Sequence, residues 1–330
     1  MKAVVLEEFG GPEVLKLRDV ETPEMGPEDI LIRIAATAVN RADLLERQGL
    51  YPPPPPKPRH QIPGLECSGT VVAKGDRVIH FALGDRVMAL LPGGGYAEYV
   101  AVPEDMAWLV PESLSLIEAA AVPEVFLTAF DALWDKAQLM PQDGVLIHAA
   151  AGGVGSAAVQ LAVAAGLRVT ATVGDKEKQQ FVSSLGAHCT INYREQDFVA
   201  EVQQWSKGQG VQAVIDFIGQ SYLARNLQCL AAGGTLVIVG TLSGAEAPVN
   251  LSQLLGRRLT IRGTALRSRP RYEKMRLIQT FAQRTATDFN TGRLKPVIDR
   301  TFELSDAGLA HQVMASNHTI GKIVLIVEHP

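Results

Sequence analysis

The stretch VLIHAAAGGVGSAAVQLA, residues 145–162, is the part of this 330-residue chain that decides its fold. Its first three residues are apolar, as in a buried strand, and the small and apolar residues from Ser156 onward are typical of a packed helix. Between them, Ala150, Gly152 and Gly155 take the three small positions of the pattern G-x-G-x-x-G, with alanine in the first place. Such a turn lets backbone N–H groups approach a pyrophosphate at the positive end of a helix.

The segments that follow this turn repeat a strand and helix alternation. A second strand, Arg168–Val173, completes a β-α-β unit of about 30 residues, as the dinucleotide-binding pattern requires. Further strands are predicted at residues 189–192, 211–217 and 235–239, and helices at 176–185, 198–206 and 223–230. This alternation predicts an α/β domain with a parallel sheet covered on both faces. A tight turn that binds nothing remains the alternative, because it uses the same small residues.

The first 115 residues have a different pattern. Short strands are predicted at residues 2–6, 14–17 and 30–36, and glycine-rich turns separate the later ones, which indicates a compact β-rich unit. Helical periodicity follows over residues 118–137. Residues 319–327 are strand-like and are predicted to return to the first unit.

The composition is that of an ordinary globular enzyme, with 47% hydrophobic and 20% charged residues. The length favours two domains. A net charge of −4 gives no basic footprint for nucleic acid or an anionic membrane. Glu7 and Glu8 interrupt the N-terminal apolar residues, and no apolar run approaches the ~18 residues that span a bilayer, so a cytoplasmic location is expected.

Four separate motifs carry a resemblance to a known family. They are HAAAGGVG (148–155), AVNRAD (38–43), LPGGGYAEY (91–99) and ALRSR (265–269). In this order they resemble the medium-chain dehydrogenase/reductase superfamily and, within it, the zinc-free NADPH:quinone oxidoreductases of the zeta-crystallin-like family. The resemblance covers the whole chain. It implies a GroES-like catalytic domain at residues 1–120, a Rossmann NADPH-binding domain at 121–267, and a C-terminal segment, 268–330, that returns to the catalytic domain.

The sequence also predicts that no metal is bound. Zinc alcohol dehydrogenases of this superfamily have Gly-His-Glu where this chain has Gly64-Leu65-Glu66, and leucine cannot ligate zinc. Three scattered cysteines, Cys67, Cys189 and Cys229, supply neither a structural zinc site nor a disulfide framework. Without a Lewis acid to polarise a carbonyl, quinones and activated alkenes are favoured over simple ketones as hydride acceptors.

The cofactor-binding residues are predicted from the turn, from the strand ends at which such sheets bind ligands, and from the resemblance. The predicted set is Thr128, Ala151, Gly152, Gly153, Val154, Gly174, Lys178, Tyr193, Phe217, Gly240, Leu242, Ala265, Leu266, Arg267 and Lys322. Thr128 has an alternative role, because a helix threonine often bonds to its own backbone.

Cofactor choice depends on the end of the second Rossmann strand. The resemblance implies that Gly174, Lys178 and Tyr193 hold a 2′-phosphate, with the lysine as a point charge and the tyrosine as a hydroxyl donor. A solvated lysine and a strand-end tyrosine are the alternatives. Asp175 departs from this pattern, since a carboxylate near a phosphate weakens binding unless it turns away. Despite this departure, Gly174, Lys178 and Tyr193 favour NADPH over NADH.

The resemblance implies that Asn40 and Tyr51 are the catalytic residues and line the nicotinamide site. Asn40 also lies where a helix begins, so a capping role is the alternative. Tyr51 would hydrogen-bond a quinone oxygen or deliver a proton, although a phenol of pKa near ~10 is a slow acid. Simple packing is the alternative for Tyr51.

These features predict NADPH-dependent hydride transfer to a quinone in the cleft between two domains, with a quinone or enone as the small-molecule partner. Two other functions remain open. An enone or enoyl-thioester reductase would need a basic patch for coenzyme A, with Arg257, Arg258, Arg267, Arg269 and Arg271 as candidates. An NADPH-binding redox sensor would show little turnover. A homodimer is expected from the resemblance and from the apolar edge strand predicted at residues 259–264.

Overall fold

The structure is a computed structural model that describes residues 1–51, 53 and 58–327. The strands are, in chain order, β1 (Lys2–Leu6), β2 (Leu15–Asp19), β3 (Asp29–Val39), β4 (Glu66–Lys74), β5 (Arg86–Leu90), β6 (Tyr99–Pro103), β7 (Ala107–Leu109), β8 (Gly144–Ile147), β9 (Arg168–Val173), β10 (Cys189–Asn192), β11 (Val211–Asp216), β12 (Leu230–Ile238), β13 (Thr260–Gly263), β14 (Ile298–Glu303) and β15 (Lys322–Ile326). The α-helices are α1 (Arg41–Arg47), α2 (Leu116–Ala119), α3 (Pro123–Phe130), α4 (Gly153–Ala164), α5 (Lys176–Ser184), α6 (Phe198–Trp205), α7 (Leu223–Cys229), α8 (Leu251–Arg257), α9 (Arg271–Asn290) and α10 (Ala307–Ala315).

The chain divides into two compact units. Unit 2, Thr128–Leu266, contains a six-stranded parallel sheet in the order β10-β9-β8-β11-β12-β13. Counted from β8, this is the order 3-2-1-4-5-6 of a Rossmann fold, in which the connections reverse direction between the first and fourth strands. The predicted α/β Rossmann fold is confirmed, and the reversal lies between β8 and β11.

The central strands of unit 2 are buried along almost their whole length. All four residues of β8 are buried, and so are five of the six in β9. Strands buried on both faces need continuous apolar sequence rather than alternation. On one face, Leu146, Phe198 and Val214 belong to a core cluster in which α6 and α7 pack on the sheet.

Unit 1 consists of two separate parts of the chain, Met1–Leu127 and Arg267–Pro330. Its main sheet has the order β14-β15-β3-β4-β5-β7, with β6 also paired to β3, while β1 and β2 form an antiparallel pair. Strand β15 pairs antiparallel with β3, so the predicted return of the C-terminal segment is confirmed. This β-rich unit is the predicted GroES-like one.

The helical periodicity over residues 118–137 is broken into three pieces. Helix α2 ends at Ala119, α3 begins at Pro123, and a π-helical stretch covers Asp131–Lys136. Proline is suited to the first turn of a helix, where its missing N–H is not needed, and it interrupts a helix that arrives from the preceding residues. The predicted single helix was therefore wrong at this point.

In the ranges described, no helix combines the length and the apolar character required to span a membrane. The division between units falls at residues 127/128 and 266/267. The domain boundaries expected from the resemblance, at 120/121 and 267/268, stay a prediction.

Candidate functional site

The phosphate-binding turn predicted from the sequence joins β8 to α4. The His148 N–H donates to a carbonyl of β11 (3.1 Å) and the Ala150 N–H to a carbonyl of β9 (3.1 Å), which fixes the turn to both neighbouring strands. Ala149 has a left-handed backbone, with φ of 47°, an unusual conformation for a residue with a Cβ. Ala151 is buried beneath the turn.

The N-terminus of α4 presents backbone rather than side chains. Gly152 is the capping residue of α4 and makes no side-chain hydrogen bond, so the first N–H groups of the helix are left for another partner. Gly152, Gly153 and Val154 are half-buried, whereas Gly155 is buried. A Cβ at Gly155 would lie 2.7 Å from Ala150 Cα, so only glycine allows the helix to pack this closely. This turn fits a pyrophosphate on the ground of its backbone geometry.

The three residues predicted to hold a 2′-phosphate come together at the end of β9. A Cβ at Gly174 would lie 2.9 Å from Tyr193 Oη, so the hydroxyl reaches across this glycine. The Tyr193 N–H donates to Val173 O (3.1 Å), which anchors the tyrosine to β9. Lys178 lies in the first turn of α5, and its side chain is 14% exposed. A cation and a hydroxyl therefore flank the same strand end.

Asp175, which departs from the family pattern, is the N-cap of α5. Its Oδ1 accepts from the Lys178 N–H (2.8 Å), and its Oδ2 lies 3.8 Å from Lys178 Nζ. Much of its charge is thus directed at the helix N-terminus and the lysine. Capping gives this carboxylate a structural reason to be present.

Three more predicted cofactor residues meet at the carboxyl ends of β11 and β12. The Leu242 N–H donates to Phe217 O (3.2 Å), and a Cβ at Gly240 would lie 3.1 Å from the same oxygen. Phe217 is half-buried, and Leu242 is 59% exposed. In parallel α/β sheets, ligands bind beside such strand ends.

His148, at the start of the turn, is a structural residue. It is fully buried between Thr172 Oγ1 (2.8 Å from Nδ1) and Asn226 Oδ1 (2.7 Å from Nε2). Burial lowers the pKa of His148 to about 4, so the ring is neutral and both nitrogens are used.

Unit 1 contains a buried polar cluster around Asn40, one of the two predicted catalytic residues. Asn40 Nδ2 donates to Glu66 Oε1 (2.8 Å), and Asn40 Oδ1 accepts from Lys322 Nζ (2.6 Å). Lys322 Nζ also donates to Val39 O (2.8 Å) and lies 2.8 Å from Glu66 Oε1. The Asn40 amide is therefore held rigidly by a buried ion pair. The Lys322 ammonium is occupied by these partners, and its predicted cofactor contact stays a prediction.

Helix α1 begins next to this amide, as the capping alternative required. The Asn40 N–H donates to Asp43 Oδ2 (2.8 Å), and this oxygen also accepts from Tyr96 Oη (3.0 Å). Tyr96 Oη lies 3.0 Å from His311 Nε2, and since its one proton goes to Asp43, the histidine donates to it. Burial raises the pKa of Asp43 to about 7 and lowers that of His311 to about 3.

Tyr51, the other predicted catalytic residue, lies beside Arg267. The guanidinium carbon is 4.9 Å from the centre of the Tyr51 ring, and Arg267 Nη1 donates to Tyr51 O (3.3 Å). Arg267 also forms a buried ion pair with Glu46 (2.9 Å) and donates to Pro92 O (2.9 Å). Burial, followed by the charge of Glu124, raises the pKa of the Tyr51 phenol.

The sequence did not single out Glu66 or Glu124, yet both lie in this cluster. Glu66 Oε2 accepts from the Glu124 N–H (2.8 Å), so one carboxylate joins Asn40 to the first turn of α3. The available signal was a carboxylate inside an otherwise apolar stretch, AAAVPEVFLTAF, residues 119–130. An ionisable residue in such a run is costly to bury and so has a specific partner or function.

The positions of the remaining predicted cofactor residues are described one by one. Thr128 lies in α3 and is 8% exposed, Leu266 is 4% exposed, and Ala265 is exposed after β13. Their cofactor contacts stay predictions.

Comparison with known proteins places this geometry in a family. The model of the alcohol dehydrogenase GroES-like domain matches residues 26–112, and that of the zinc-binding dehydrogenases matches residues 153–282. The quinone oxidoreductase of Sus scrofa is 34% identical over 99% of this chain and 98% of its own length. The chain belongs to the quinone oxidoreductase family of medium-chain dehydrogenase/reductases.

Two solved structures of this superfamily have nearly the same fold as the chain. One is the Escherichia coli quinone oxidoreductase complexed with NADPH, with a TM-score of 0.89, 31% identity, and coverage of 99% of this chain and 100% of that one. The other is described as an NAD-dependent alcohol dehydrogenase, with a TM-score of 0.88, 35% identity and the same coverage. Both nicotinamide cofactors therefore occur among proteins of this fold.

One of the matching family models is named for zinc, but a leucine occupies a position at which this chain would need a zinc ligand. Leu65, an apolar residue 1% exposed, stands where the zinc-dependent members have histidine, and the next residue, Glu66, is bonded to Asn40 and Lys322. In the part of the chain that the structure describes, no group of three or more His, Cys, Asp or Glu side chains is placed to hold a metal ion.

Proposed function

We propose that this protein transfers a hydride from NADPH to a quinone without a metal ion. Full-length similarity to named quinone oxidoreductases is the observation that carries this proposal. The NADPH in the Escherichia coli structure and the phosphate-binding geometry of unit 2 support the choice of cofactor.

The residues of unit 2 would hold NADPH by its phosphates. The N-terminus of α4 after Gly152 binds the pyrophosphate, while Lys178 and the Tyr193 hydroxyl bind the 2′-phosphate. Gly174 keeps the space between them open. When bound, NADPH supplies the hydride; the protein binds it, orients it and excludes water.

The predicted catalytic pair would position the acceptor rather than attack it. The Asn40 amide is fixed by Glu66 and Lys322, and the Tyr51 ring is fixed by Arg267. Fixed hydrogen-bonding groups stabilise the charge that develops on an acceptor oxygen without needing to reorganise. No covalent nucleophile is needed for this reaction.

Reduction of enoyl thioesters is a weaker candidate, because three of the five arginines considered for coenzyme A are bonded elsewhere or buried. Arg257 donates to Leu227 O, and Arg271 pairs with Asp105 (2.8 Å) and Glu28 (3.2 Å). Arg267 is buried. The arrangement favours a flat acceptor that lacks phosphates.

We further propose a homodimer formed through the edge of the unit 2 sheet. Strand β13 is the last strand of that sheet in the described chain, and Leu251 and Leu255 on α8 are 72% and 82% exposed. Edge strands and exposed leucines favour association. Light scattering should give the mass of two chains, and Leu255→Lys should shift it toward one. The cytoplasmic location stays a prediction of the sequence.

Steady-state NADPH oxidation tests the proposed function. Purified protein is mixed with NADPH and, in separate reactions, substituted benzoquinones, naphthoquinones and simple enones. We expect oxidation of NADPH that requires a quinone and is insensitive to a chelator. Tight NADPH binding with no turnover on any acceptor would instead support the redox sensor, and turnover confined to enones would support the other reductase.

A further inference from the structure

The π-helical stretch Asp131–Lys136 begins with a buried carboxylate to which no role has been given so far. Asp131 is fully buried in unit 2, directly after the buried end of α3. The Ala137 N–H donates to Ala132 O, five residues earlier (3.0 Å), which is the spacing of a π-helix. Short π-helical segments are rare and are frequent at functional sites. Burying a carboxylate is costly unless it is paired and hydrogen-bonded, so Asp131 needs specific partners.

The π-helical stretch is bonded at both of its ends to the chain at β13. Asp131 Oδ2 accepts from the Thr264 hydroxyl, and Asp131 Oδ1 lies 3.8 Å from Lys136 Nζ. At the other end, Arg262 Nη1 donates to Lys136 O (3.0 Å). All of these residues belong to unit 2. The buried carboxylate therefore ties the end of β13 to the helix that follows α3.

The end of β13 has little else to hold it. The strand has four residues, two of them exposed, and within the described chain it pairs with β12 alone. The Thr264 N–H donates to Ile238 O (3.0 Å), and among the described residues the next two N–H groups, of Ala265 and Leu266, make no hydrogen bond. The bond from Thr264 to Asp131 therefore fixes the point at which two unused N–H groups follow the sheet.

The strand order indicates which half of NADPH would meet this strand end. The phosphate turn follows β8, and the residues proposed for the 2′-phosphate lie at the ends of β9 and β10, on one side of it. Strands β11, β12 and β13 lie on the other side, parallel to β8 and about 4.8 Å apart. A dinucleotide with its pyrophosphate at β8 and its adenosine half over β9 extends its nicotinamide half over the ends of β11 to β13. The carboxamide oxygen of nicotinamide is an acceptor for N–H groups.

We propose that Asp131 is a positioning residue for the nicotinamide half of the cofactor. This inference rests on the proposed function. The carboxylate does not touch the cofactor; it accepts from the Thr264 hydroxyl and so holds the end of β13. The backbone N–H groups of Ala265 and Leu266 are thereby kept in one place for the carboxamide oxygen. Fixed groups bind and orient a ligand without the cost of ordering them first.

The first arm of the test measures the tether without cofactor. Thr264→Val removes the hydroxyl at nearly constant volume, and Thr264→Ser keeps it. Thr260→Val is the matched control, the same change at a half-buried residue at the start of β13. Hydrogen exchange of residues 259–266 is followed by mass spectrometry. We expect exchange about tenfold faster or more in Thr264→Val, the size of a hydrogen bond to a charged group, and near wild type in the other two variants. Equal exchange in Thr264→Val and Thr260→Val would overturn the proposal.

The second arm separates the two halves of the cofactor. The ligand 2′,5′-ADP carries the adenosine half with its 2′-phosphate, whereas NADP⁺ also carries the nicotinamide. In calorimetric titration, Thr264→Val should raise the Kd for NADP⁺ about 3- to 10-fold, the size of a neutral hydrogen bond, and leave that for 2′,5′-ADP unchanged. Thr264→Ser should restore the wild-type values. Asp131→Leu should act like Thr264→Val, and the double variant should add nothing, because the two side chains form one bond.

The outcomes separate this inference from the function on which it rests. A general loss of structure in unit 2 would weaken both ligands, so the difference between them reports positioning. If wild type reduces quinones with NADPH, but Thr264→Val weakens both ligands equally, weakens neither or weakens 2′,5′-ADP more, Asp131 is not a positioning residue and the proposed function stands. If wild type binds neither ligand and reduces no quinone, the proposed function fails, and the inference fails with it.

Discussion

The role of Lys178 in choosing NADPH over NADH can be tested by one substitution. Lys178→Met removes the charge and keeps the apolar length of the side chain. The matched control is Lys176→Met, the same change at an exposed position two residues earlier on α5. Both variants have the same net charge, so a difference between them reports the position of the cation.

The size of the effect follows from the surroundings of Lys178. Its side chain is 14% exposed, and its Nζ lies 3.8 Å from Asp175 Oδ2. Two unit charges about 4 Å apart interact by about 1 kcal/mol in water and about 4 kcal/mol at an effective dielectric constant near 20. The nearby carboxylate offsets part of the attraction for a phosphate, which leaves about 1.5–3 kcal/mol, the usual range of a hydrogen bond to a charged group. Since each 1.4 kcal/mol is tenfold, the Kd for NADPH should rise about 10- to 100-fold.

Calorimetric titration of both cofactors measures this difference. NADH lacks the 2′-phosphate, so Lys178→Met should leave its Kd nearly unchanged, and Lys176→Met should leave both Kd values nearly unchanged. The loss of NADPH affinity should shrink as salt is added, because salt screens the interaction. Equal weakening of NADPH and NADH binding, or equal effects of the two variants, would refute the assignment of the 2′-phosphate site.

Three further changes test other parts of the structure. Gly155→Ala should prevent close packing of α4 and cost about 1–3 kcal/mol of unfolding free energy, whereas Gly256→Ala in α8, where a Cβ meets nothing within 4 Å, should not destabilise the protein. Asp43 has a raised pKa of about 7, so its contribution to stability is present in acid and is lost as the pH rises toward 7. The free energy of unfolding of Asp43→Asn should therefore increase by about 3–4 kcal/mol relative to that of wild type between pH 4 and pH 8. Urea unfolding at a series of pH values measures this difference. Arg267→Met leaves the Glu46 carboxylate buried and unpaired and should cost about 3–5 kcal/mol, of which Glu46→Gln in the same chain should restore a large part.

The Rossmann unit was predicted well because its signals are local. Strands β9 and β10 were predicted at their observed bounds, since each is a short run that contains β-branched residues and lies between polar or glycine-containing turns. The sequence pattern was less informative for strands whose formation depends on pairing with distant parts of the chain. Strand β12 begins at Leu230, before two glycines, and β14 is a half-exposed strand with four polar residues among its six.

The site was predictable where it depends on backbone and not where it depends on buried charge. The spacing of Gly152 and Gly155 was enough to locate the turn between β8 and α4, whose binding of a phosphate stays a prediction. The partners of Arg267 and Lys322 lie far away in the sequence, so no local pattern could show that Glu46 would bind the first and Glu66 the second. The family resemblance predicted that Arg267 and Lys322 bind the cofactor. It carried no information about the carboxylates of Glu46 and Glu66.

Because β15 pairs with β3, the two units are completed at different times during synthesis. Unit 2 is a single continuous stretch and can fold as soon as it leaves the ribosome. The Asn40 amide is made 282 residues before Lys322, the lysine that it binds. Its buried carboxylate partner, Glu66, lacks this counter-ion during that interval, so unit 1 is completed only after the whole of unit 2 has been made.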